Sequence, residues 1–184
     1  MDIKNYLSQV ITMINSVDPN EINDLAALIN ATKNNDKSIF VFGNGGSGAN
    51  ASHFVQDLNK CPIKNFSVSA DRYKAFCLND NIPIVLAYAN DLSYDQIFVQ
   101  QLMNFCKPGD LVIGISGSGN SLNVIKAVEY ANQIGAKTVG IVGFGGGKLL
   151  PVSQHSVHIK VNDMQVYEDG ASIVLHSIIK ALLN

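Results

Sequence analysis

The sequence predicts an α/β fold, a doubly wound parallel sheet of five strands with helices on both faces. Short apolar runs alternate along the chain with longer segments in which apolar residues recur at helical spacing. Two of these runs lead directly into loops of small residues, which is typical of the carboxyl edge of a parallel sheet. The pattern indicates a three-layer sandwich of the flavodoxin type, and ligands of such sheets bind at that edge.

Two helices are predicted ahead of the sheet, within residues 1–36. The apolar residues of the first follow a helical repeat at Ile3, Tyr6, Leu7, Val10, Ile11 and Ile14. Asp18 followed by Pro19 is typical of an N-cap and a first helical position, so a second helix should begin there. This pair could pack on the sheet or on another subunit, and the sequence leaves both partners open.

The core, residues 37–184, should contain the sheet. Buried strands are predicted at residues 38–42, 76–78, 111–115 and 138–142, and a half-exposed strand at residues 157–161. Helices should follow the loops, at residues 82–89, 94–105, 122–134 and 167–183. Residues 61–74 should be irregular, with a short strand at residues 66–69 as one option.

Length and composition narrow the class of protein. A chain of 184 residues suits one domain with a full core, and 47% apolar against 15% charged residues suggests extensive buried surface, subunit contacts included. A net charge of −2 without a basic run argues against nucleic acid as a ligand. No apolar run approaches about 18 residues, so no membrane span is expected. The three cysteines form no CxxC pair and indicate reduced thiols in a cytoplasm.

The first loop of small residues reads GNGGS, residues 43–47, and joins the first strand to a helix. Its backbone N–H groups can approach a ligand closely, and the helix N-terminus adds the positive end of its dipole. On the same helix His53 and Asp57 are four residues apart and share a face. An anion cradle and a His/carboxylate pair in one segment predict a phosphorylated substrate beside a reactive group.

The second loop places Ser116, Ser118 and Ser121 around the N-terminus of another helix. Hydroxyls and backbone amides together can hold a phosphate without any Lys or Arg. Ordinary N-capping would need only one serine, so three hydroxyls in one loop favour a phosphate site.

Gly43, Gly45 and Gly48 also match the spacing of the dinucleotide-binding fingerprint. That fingerprint usually opens the fold, whereas two helices precede it here, and it needs an acid about 20 residues further on. Asp71 is the nearest candidate for that acid. The dinucleotide interpretation is therefore disfavoured.

Taken together, the motifs resemble one known family. The stretches GNGGSGANASHF, ISGSGNS, Ala89-Asn90-Asp91 and GFGGGKL, and a closing helix with an acid eight residues before a histidine, are similar to the phosphoheptose isomerases of the sugar isomerase (SIS) domain class. The resemblance implies a single SIS domain over residues 1–184, a homotetramer with active sites between subunits, and one zinc ion per site. It also implies conversion of sedoheptulose 7-phosphate to glycero-manno-heptose 7-phosphate through an enediolate, for heptose and surface-polysaccharide biosynthesis.

The resemblance carries roles onto individual residues. The sugar contacts fall on Asn44, Gly45, Gly46, Ser47, Asn90 and Asp91, and the phosphate contacts on Ser116, Gly117, Ser118 and Ser121. The metal ligands fall on His53, Asp57, Glu168 and His176, of which Asp57 and Glu168 also face the substrate. In catalysis Asp57 takes the position of the base and His176 that of the opposing acid or base.

Two positions depart from the family pattern, which commonly has Glu at position 57 and Gln at position 168. Asp57 has a shorter reach and Glu168 adds a negative charge, but two imidazoles with two carboxylates still suit zinc. Along a straight helix Glu168 and His176 would be about 12 Å apart. Either Gly170 marks a helix start or the site draws on two chains, and the sequence leaves both open.

Two other functions remain as alternatives. The chain could isomerise a different sugar phosphate, or it could be a non-catalytic SIS protein that binds a sugar phosphate or regulates a partner. The regulatory branch of the family tends to lose the helical histidine, whereas His53 and His176 are both present here.

Overall fold

The structure, a computed structural model, describes residues 2–63 and 72–183. The short strand considered at residues 66–69 lies outside the described residues, as does Asp71.

Helices and strands alternate along the chain. The helices are α1 (Ile3–Ser16), α2 (Pro19–Asn34), α3 (Gly45–Lys60), α4 (Ile82–Asp91), α5 (Val99–Phe105), α6 (Leu122–Gln133), α7 (Leu149–Val152) and α8 (Met164–Leu182). The strands are β1 (Ser38–Gly43), β2 (Lys74–Cys77), β3 (Leu111–Ser116), β4 (Lys137–Val142) and β5 (His155–His158). A 3₁₀ turn, Tyr94–Gln96, precedes α5.

The strands form one parallel sheet in the order β2-β1-β3-β4-β5, which confirms the predicted doubly wound α/β class. From β1 the chain first winds to one side, to β2, and then crosses back to place β3 on the other side of β1. Gly43 at the end of β1 pairs with Ile115 near the end of β3. The winding direction therefore reverses between β1 and β3, where open α/β sheets form their ligand crevice.

Each face of the sheet is covered by its own hydrophobic core. In β1, Ile39 and Val41 point into the core shared with α1, α2, α3 and α8. Phe40 and Phe42 point into the opposite core, which is shared with α5, α6 and α7. This strict alternation in a fully buried strand is what a sheet between two helical layers requires.

The N-terminal helices are placed as predicted, and α1 has two apolar faces. The Asp18 side chain caps α2 by accepting from the Asn20 N–H at 2.9 Å, with Pro19 in the first helical position. On α1, Met13 is buried against the core that α8 shares. The other face of α1 carries an exposed stripe of apolar side chains, at Ile3, Leu7, Ile11 and Ile14.

Several predicted bounds were wrong by a few residues. Strand β5 begins at His155 rather than 157, and the helix predicted at 94–105 is a 3₁₀ turn followed by α5. Helix α8 begins at Met164 rather than 167, because the Asp163 carboxylate caps it through the Val166 N–H at 3.1 Å.

Gly170 lies inside α8, so the option that it marks a helix start was wrong. A Cβ at this position would lie 2.7 Å from the Met13 sulfur of α1. Gly170 therefore allows α1 and α8 to approach each other closely, and α8 runs unbroken past Glu168 to His176.

Across residues 2–63 and 72–183, every helix is too short or too polar to pass through a bilayer.

The central strands contain a pair of glycines whose replacement should be costly. Gly114 of β3 pairs with Gly140 of β4, and a Cβ on Gly114 would lie 2.8 Å from Val124 Cγ1 of α6. We expect Gly114→Ala to lower the free energy of unfolding by about 1–3 kcal/mol, because the added methyl overpacks this contact.

The control for this prediction is Gly145→Ala, where an added Cβ meets nothing within 4 Å. Urea unfolding followed by circular dichroism would measure both variants. Equal midpoints for the two would show that β3 and α6 are not packed as described.

Candidate active site

The crevice between β1 and β3 is bounded by the ends of both strands. Asn79 holds the end of β1 through two bonds, accepting from the Gly43 N–H at 3.2 Å and donating to the Gly43 carbonyl at 2.8 Å. A Cβ on Gly43 would lie 2.7 Å from the Ile115 carbonyl oxygen. A glycine at this position therefore lets the first loop leave the sheet directly beside β3.

Asn44 lies between the two loops and is held by side chains from both sides. Its amide exchanges two hydrogen bonds of 2.9 Å with the Asn123 amide, in the first turn of α6. The Tyr94 hydroxyl donates to the same Asn44 oxygen at 2.9 Å. Asn44 precedes α3 without capping it through its side chain, so the amide serves the crevice rather than the helix.

The N-terminus of α3 is in contact with an acid of the chain itself. A Cβ placed on Gly46 would lie 2.3 Å from Glu168 Oε1, so the carboxylate of α8 rests directly on this glycine. The positive end of the α3 dipole favours a negative charge at that point. In this structure the Glu168 carboxylate therefore lies at the predicted anion cradle.

The serine loop presents hydroxyls that its helix does not use. The Ser116 hydroxyl donates to the Ser121 oxygen at 3.2 Å, and the Ser121 side chain makes no capping bond to α6. Ser118 accepts from the Asn120 N–H at 3.2 Å. The paired hydroxyls of Ser116 and Ser121 thus sit at the N-terminus of a twelve-residue helix, where an anion is favoured.

A buried tyrosine fixes the base of the serine loop. A Cβ on Gly117 would lie 2.8 Å from Tyr167 Cδ1, so the Tyr167 ring packs directly against the loop backbone. The Tyr167 hydroxyl donates to the Ile141 carbonyl at 2.9 Å. Burial raises the pKa of Tyr167 above its usual range, so this hydroxyl stays neutral and serves as a support.

The loop after β4 supports the serine loop from the other side. The Gly143 N–H donates to the Gly117 carbonyl at 2.9 Å, and the Leu149 N–H donates to the Gly119 carbonyl at 2.8 Å. A Cβ on Gly119 would lie 2.0 Å from the Gly146 carbonyl oxygen, so the two backbones are in direct contact. The segment GFGGGKL, residues 143–149, therefore holds the serine loop in position.

A second cluster joins α3 to α8. Asp57 Oδ2 lies 3.7 Å from His53 Nε2 and 3.7 Å from His176 Nε2, and the imidazole rings meet edge to face with centroids 5.0 Å apart. Beside it, the Ser172 hydroxyl donates to Asn50 Oδ1 at 2.7 Å, which ties the same two helices. The Asp57 side chain is 13% exposed and the histidines about half exposed, so the cluster opens to solvent.

The donor set of this cluster fits a transition metal. One ligand atom from each of His53, Asp57 and His176 lies within 4.8 Å of the others. Two imidazoles and a carboxylate form a usual ligand set for zinc. The Cys61 thiol also contacts Asp57 Oδ1 at 3.6 Å, and desolvation, followed by the Asp57 charge, raises its pKa, which disfavours the thiolate.

The two clusters lie at different places along α3 and α8. Asp57 comes twelve residues after Gly45 on α3, or about 18 Å of helix rise. Glu168 comes eight residues before His176 on the unbroken α8, or about 12 Å. In one chain, the cluster of His53, Asp57 and His176 therefore forms without Glu168 and away from the glycine turn.

Asn90 and Asp91 lie at the end of α4 and are exposed. The Asn90 amide donates to Asp91 Oδ1 at 2.9 Å. Three residues after Asp91, Tyr94 reaches Asn44. Asn90 and Asp91 are thus linked to the crevice through the chain itself, because the 3₁₀ turn that follows them carries Tyr94.

Sequence reasoning did not single out Asn123, Tyr94 or Cys61. Asn123 carried one weak signal, since it is a polar residue in the first turn of the helix that follows the serine loop. Cys61 also carried one, because it lies four residues after Asp57 on the same helix face. Tyr94 carried none, because its contact depends on how the α4 turn folds back over β1.

Comparison with known proteins identifies the family of this chain. Residues 4–143 match the family model described as SIS domain. A probable phosphoheptose isomerase from Thermoplasma volcanium is 36% identical over 178 residues, which cover 97% of this chain and 89% of that protein. A phosphoheptose isomerase from Trichlorobacter lovleyi is 37% identical over 138 residues, which cover 75% of this chain and 68% of that protein.

A solved structure shares the fold. The phosphoheptose isomerase from Neisseria gonorrhoeae aligns with a TM-score of 0.89 over 98% of this chain and 96% of that one, at 23% identity. The family model spans most of the chain, and the curated relatives match it over most of their own length. The chain therefore belongs to the phosphoheptose isomerase family of SIS-domain proteins.

Proposed function

We propose that this protein interconverts a ketose and an aldose phosphate, taking sedoheptulose 7-phosphate to glycero-manno-heptose 7-phosphate for heptose and surface-polysaccharide biosynthesis. The observation that carries this proposal is the combination of paired hydroxyls at the α6 N-terminus with the cluster of His53, Asp57 and His176. The first suits a phosphate, and the second suits proton transfer next to a carbonyl. The names of the related proteins support the same substrate.

The serine loop binds the substrate phosphate in this proposal. Ser116 and Ser121 offer hydroxyls that are bonded only to each other among the described residues, and Ser118 lies in the same turn. Backbone N–H groups at the α6 N-terminus add donors without a charged side chain. The sugar then extends toward Asn44 and the glycine turn. Asn90 and Asp91 would also contact it, since they come just before Tyr94, which bonds to Asn44.

The proton transfers fall to Asp57 and His176. Asp57 takes the proton from C1 of the ketose while His176 gives a proton to the C2 oxygen, which produces the enediol. Asp57 then returns its proton to C2, and His176 takes the proton from the C1 oxygen to leave the aldehyde. The two residues end in their starting states, and the sugar has only moved two hydrogens.

We propose one zinc ion per site, held in the resting state by His53, Asp57 and His176, with Glu168 as a further ligand; Asp57 and His176 would not ligate the ion while they carry a proton. When bound, zinc would polarise the substrate carbonyl and stabilise negative charge on its oxygen. In its own chain the Glu168 carboxylate rests on Gly46, away from the cluster. Glu168 could therefore ligate the ion only in the cluster of a second copy of the chain.

A site shared between subunits is the second part of this proposal, in a homotetramer of single-domain chains. Within one chain the phosphate loop and the His/Asp cluster lie apart, so a second copy is needed to bring them to one sugar. The exposed stripe of Ile3, Leu7 and Ile11 on α1 offers apolar surface for such an assembly. A cytoplasmic location stays a prediction from the cysteine pattern.

The phosphate assignment is tested at Ser121. We expect Ser121→Ala to weaken binding of sedoheptulose 7-phosphate by about 1 kcal/mol, because one hydroxyl hydrogen bond is lost. Calorimetry would measure this, with Ser177→Ala as the control. Within the described part of the chain, the Ser177 hydroxyl bonds only to the Ile173 carbonyl of its own helix.

Sedoheptulose without its phosphate should bind poorly to all of these proteins, and its affinity should not change in Ser121→Ala. Equal affinity for the phosphorylated and plain sugars would contradict the assignment. Turnover of another sugar phosphate, with none of sedoheptulose 7-phosphate, would favour the alternative substrate.

The roles of the two carboxylates are tested by a pair of variants. Asp57→Asn should abolish isomerisation, because the base is lost, while much of the metal is retained by His53 and His176. Glu168→Gln should leave turnover intact or higher, since removing an anion makes a bound metal a stronger Lewis acid. Metal content and turnover would be measured together, with Glu129→Gln, on the exposed side of α6, as the control.

An inactive Glu168→Gln beside an active Asp57→Asn would reverse the two roles. In that case Glu168, and not Asp57, would be the base.

The shared site is tested by mixing inactive variants. Ser121→Asp places a carboxylate at the phosphate loop, and Asp57→Asn removes the base, so neither protein should turn over alone. If each site takes its loop and its cluster from different chains, random mixing should restore about a quarter of the sites. Steady-state turnover after co-refolding would measure the recovery.

The control mixture combines Asp57→Asn with His176→Ala, whose changes fall in one cluster of one chain. That mixture should stay inactive. No recovery in the first mixture, despite formation of mixed oligomers, would mean that the site is complete within one chain.

A further inference from the structure

The side chains of Asn44, Asn123 and Tyr94 form a hydrogen-bonded group that joins the two loops of the crevice. Asn44 follows β1, Asn123 lies on α6, and Tyr94 begins the 3₁₀ turn after α4. The direction of each hydrogen bond in the group, from donor to acceptor, is fixed, because only some of the atoms can donate. That direction decides what Asn44 can offer to a ligand.

The orientation of Asn123 is fixed by the backbone. The Val124 N–H donates to Asn123 Oδ1 at 2.9 Å, and a backbone N–H can only donate, so the atom that it meets must be the amide oxygen. Asn123 Nδ2 then lies on the other side and donates to Asn44 Oδ1 at 2.9 Å. Asn123 is 2% exposed, so water does not compete for these bonds.

The orientation of Asn44 follows from that of Asn123. Asn44 Oδ1 accepts from Asn123 and also from the Tyr94 hydroxyl, which uses both lone pairs of the oxygen. One N–H of Asn44 Nδ2 donates to Asn123 Oδ1. The second N–H has no partner within residues 2–63 and 72–183, so toward a ligand this amide can act only as a donor.

The turn that carries Tyr94 is itself anchored to α6. Asp95 accepts hydrogen bonds from Lys126 and from Ser93, and the bond from Lys126 holds the pKa of Asp95 below its usual range. Lys126 lies three residues after Asn123 on the same helix. Tyr94 is therefore held over Asn44 by the helix that also carries Asn123.

We propose that Asn123 and Tyr94 are positioning residues, which hold the Asn44 amide so that its remaining N–H donates to an acceptor oxygen of the sugar phosphate. This inference rests on the proposed function for the identity of the ligand. Neither positioning residue needs to touch the substrate. An amide fixed in advance loses no rotamer freedom when the ligand binds, and that is the advantage of the arrangement.

The kinetic test is a double-mutant cycle on Tyr94 and Asn44. Tyr94→Phe removes one hydroxyl from a side chain that is 59% exposed, so the thermal midpoint should not change. We expect kcat/KM for sedoheptulose 7-phosphate to fall about fivefold, as for the loss of one neutral hydrogen bond. In an Asn44→Ala background, Tyr94→Phe should cause no further loss, since Tyr94 acts through Asn44.

The matched control is Tyr88→Phe. The Tyr88 hydroxyl also bonds to an asparagine amide, accepting from that of Asn104 at 3.0 Å, and this bond joins α4 to α5. This variant should keep the kcat/KM of the parent protein. A loss equal to that of Tyr94→Phe would show that the effect is general and not exerted through Asn44.

A second measurement does not depend on turnover. In ¹⁵N-labelled protein the side-chain NH₂ of Asn44, assigned by its absence in Asn44→Asp, should show one proton protected from solvent exchange and one that exchanges quickly. Asn123→Leu keeps the approximate size of the side chain but removes the Oδ1 atom that accepts the protected proton, so the protection should be lost there. Addition of sedoheptulose 7-phosphate should shift mainly the fast proton.

The results separate this inference from the proposed function. A protected Asn44 proton in a protein that does not isomerise sedoheptulose 7-phosphate would support the positioning and reject the substrate. Two Asn44 protons that exchange equally fast, or additive losses in the cycle on Tyr94 and Asn44, would overturn the positioning even in an active isomerase. A shift with inorganic phosphate alone would assign the acceptor oxygen to the phosphate, and a shift that needs the whole sugar phosphate would assign it to the sugar.

Discussion

The position of β1 between β2 and β3 is the constraint on which the rest of the molecule depends. Parallel pairing puts the ends of β1 and β3 at one edge, and the reversal of winding leaves no crossover helix between them. Two loops of small residues can then lie side by side, and each leads to a helix N-terminus. The glycines act as spacers in this arrangement: Gly43 clears the backbone of β3, and Gly117 clears the ring of Tyr167.

The proposed chemistry is distributed over two helices that both extend away from that edge. Helix α3 starts at the glycine turn and carries His53 and Asp57 further along, and α8 carries Glu168 near the turn and His176 near Asp57. The serine loop and the cluster of His53, Asp57 and His176 are thus carried by one sheet and its helices, at separate places within one chain. The shared site that we propose would bring these two groups of residues together from different copies.

Local patterns in the sequence were enough for the fold and for the pair of His53 and Asp57, whereas His176 and Glu168 were grouped with that pair only through the family resemblance. Apolar runs predicted the strands, and the i, i+4 spacing of His53 and Asp57 placed them on one face of α3. The contacts that decide the site are nonlocal: Asn44 meets Asn123 across 79 residues, and Glu168 meets Gly46 only because α8 packs against α3. No single-sequence pattern encodes such pairings. The start of α8 does have a local signal, because Asp163 is a capping residue directly before it, and the prediction that began this helix at residue 167 left that signal out.

The cluster of His53, Asp57 and His176 also has a thermodynamic consequence, since its members come from two helices. An ion held there would act as a cross-link between α3 and α8, and its binding free energy would add to the stability of the folded chain by mass action. The same two helices are also joined nearer the glycine turn, where the Asn50 amide donates to the Glu168 carbonyl at 3.1 Å. Loss of the ion would therefore also weaken the packing of α3 on α8 at the glycine turn, more than two turns of helix away. Removal of the metal and increased mobility of the crevice would then occur together.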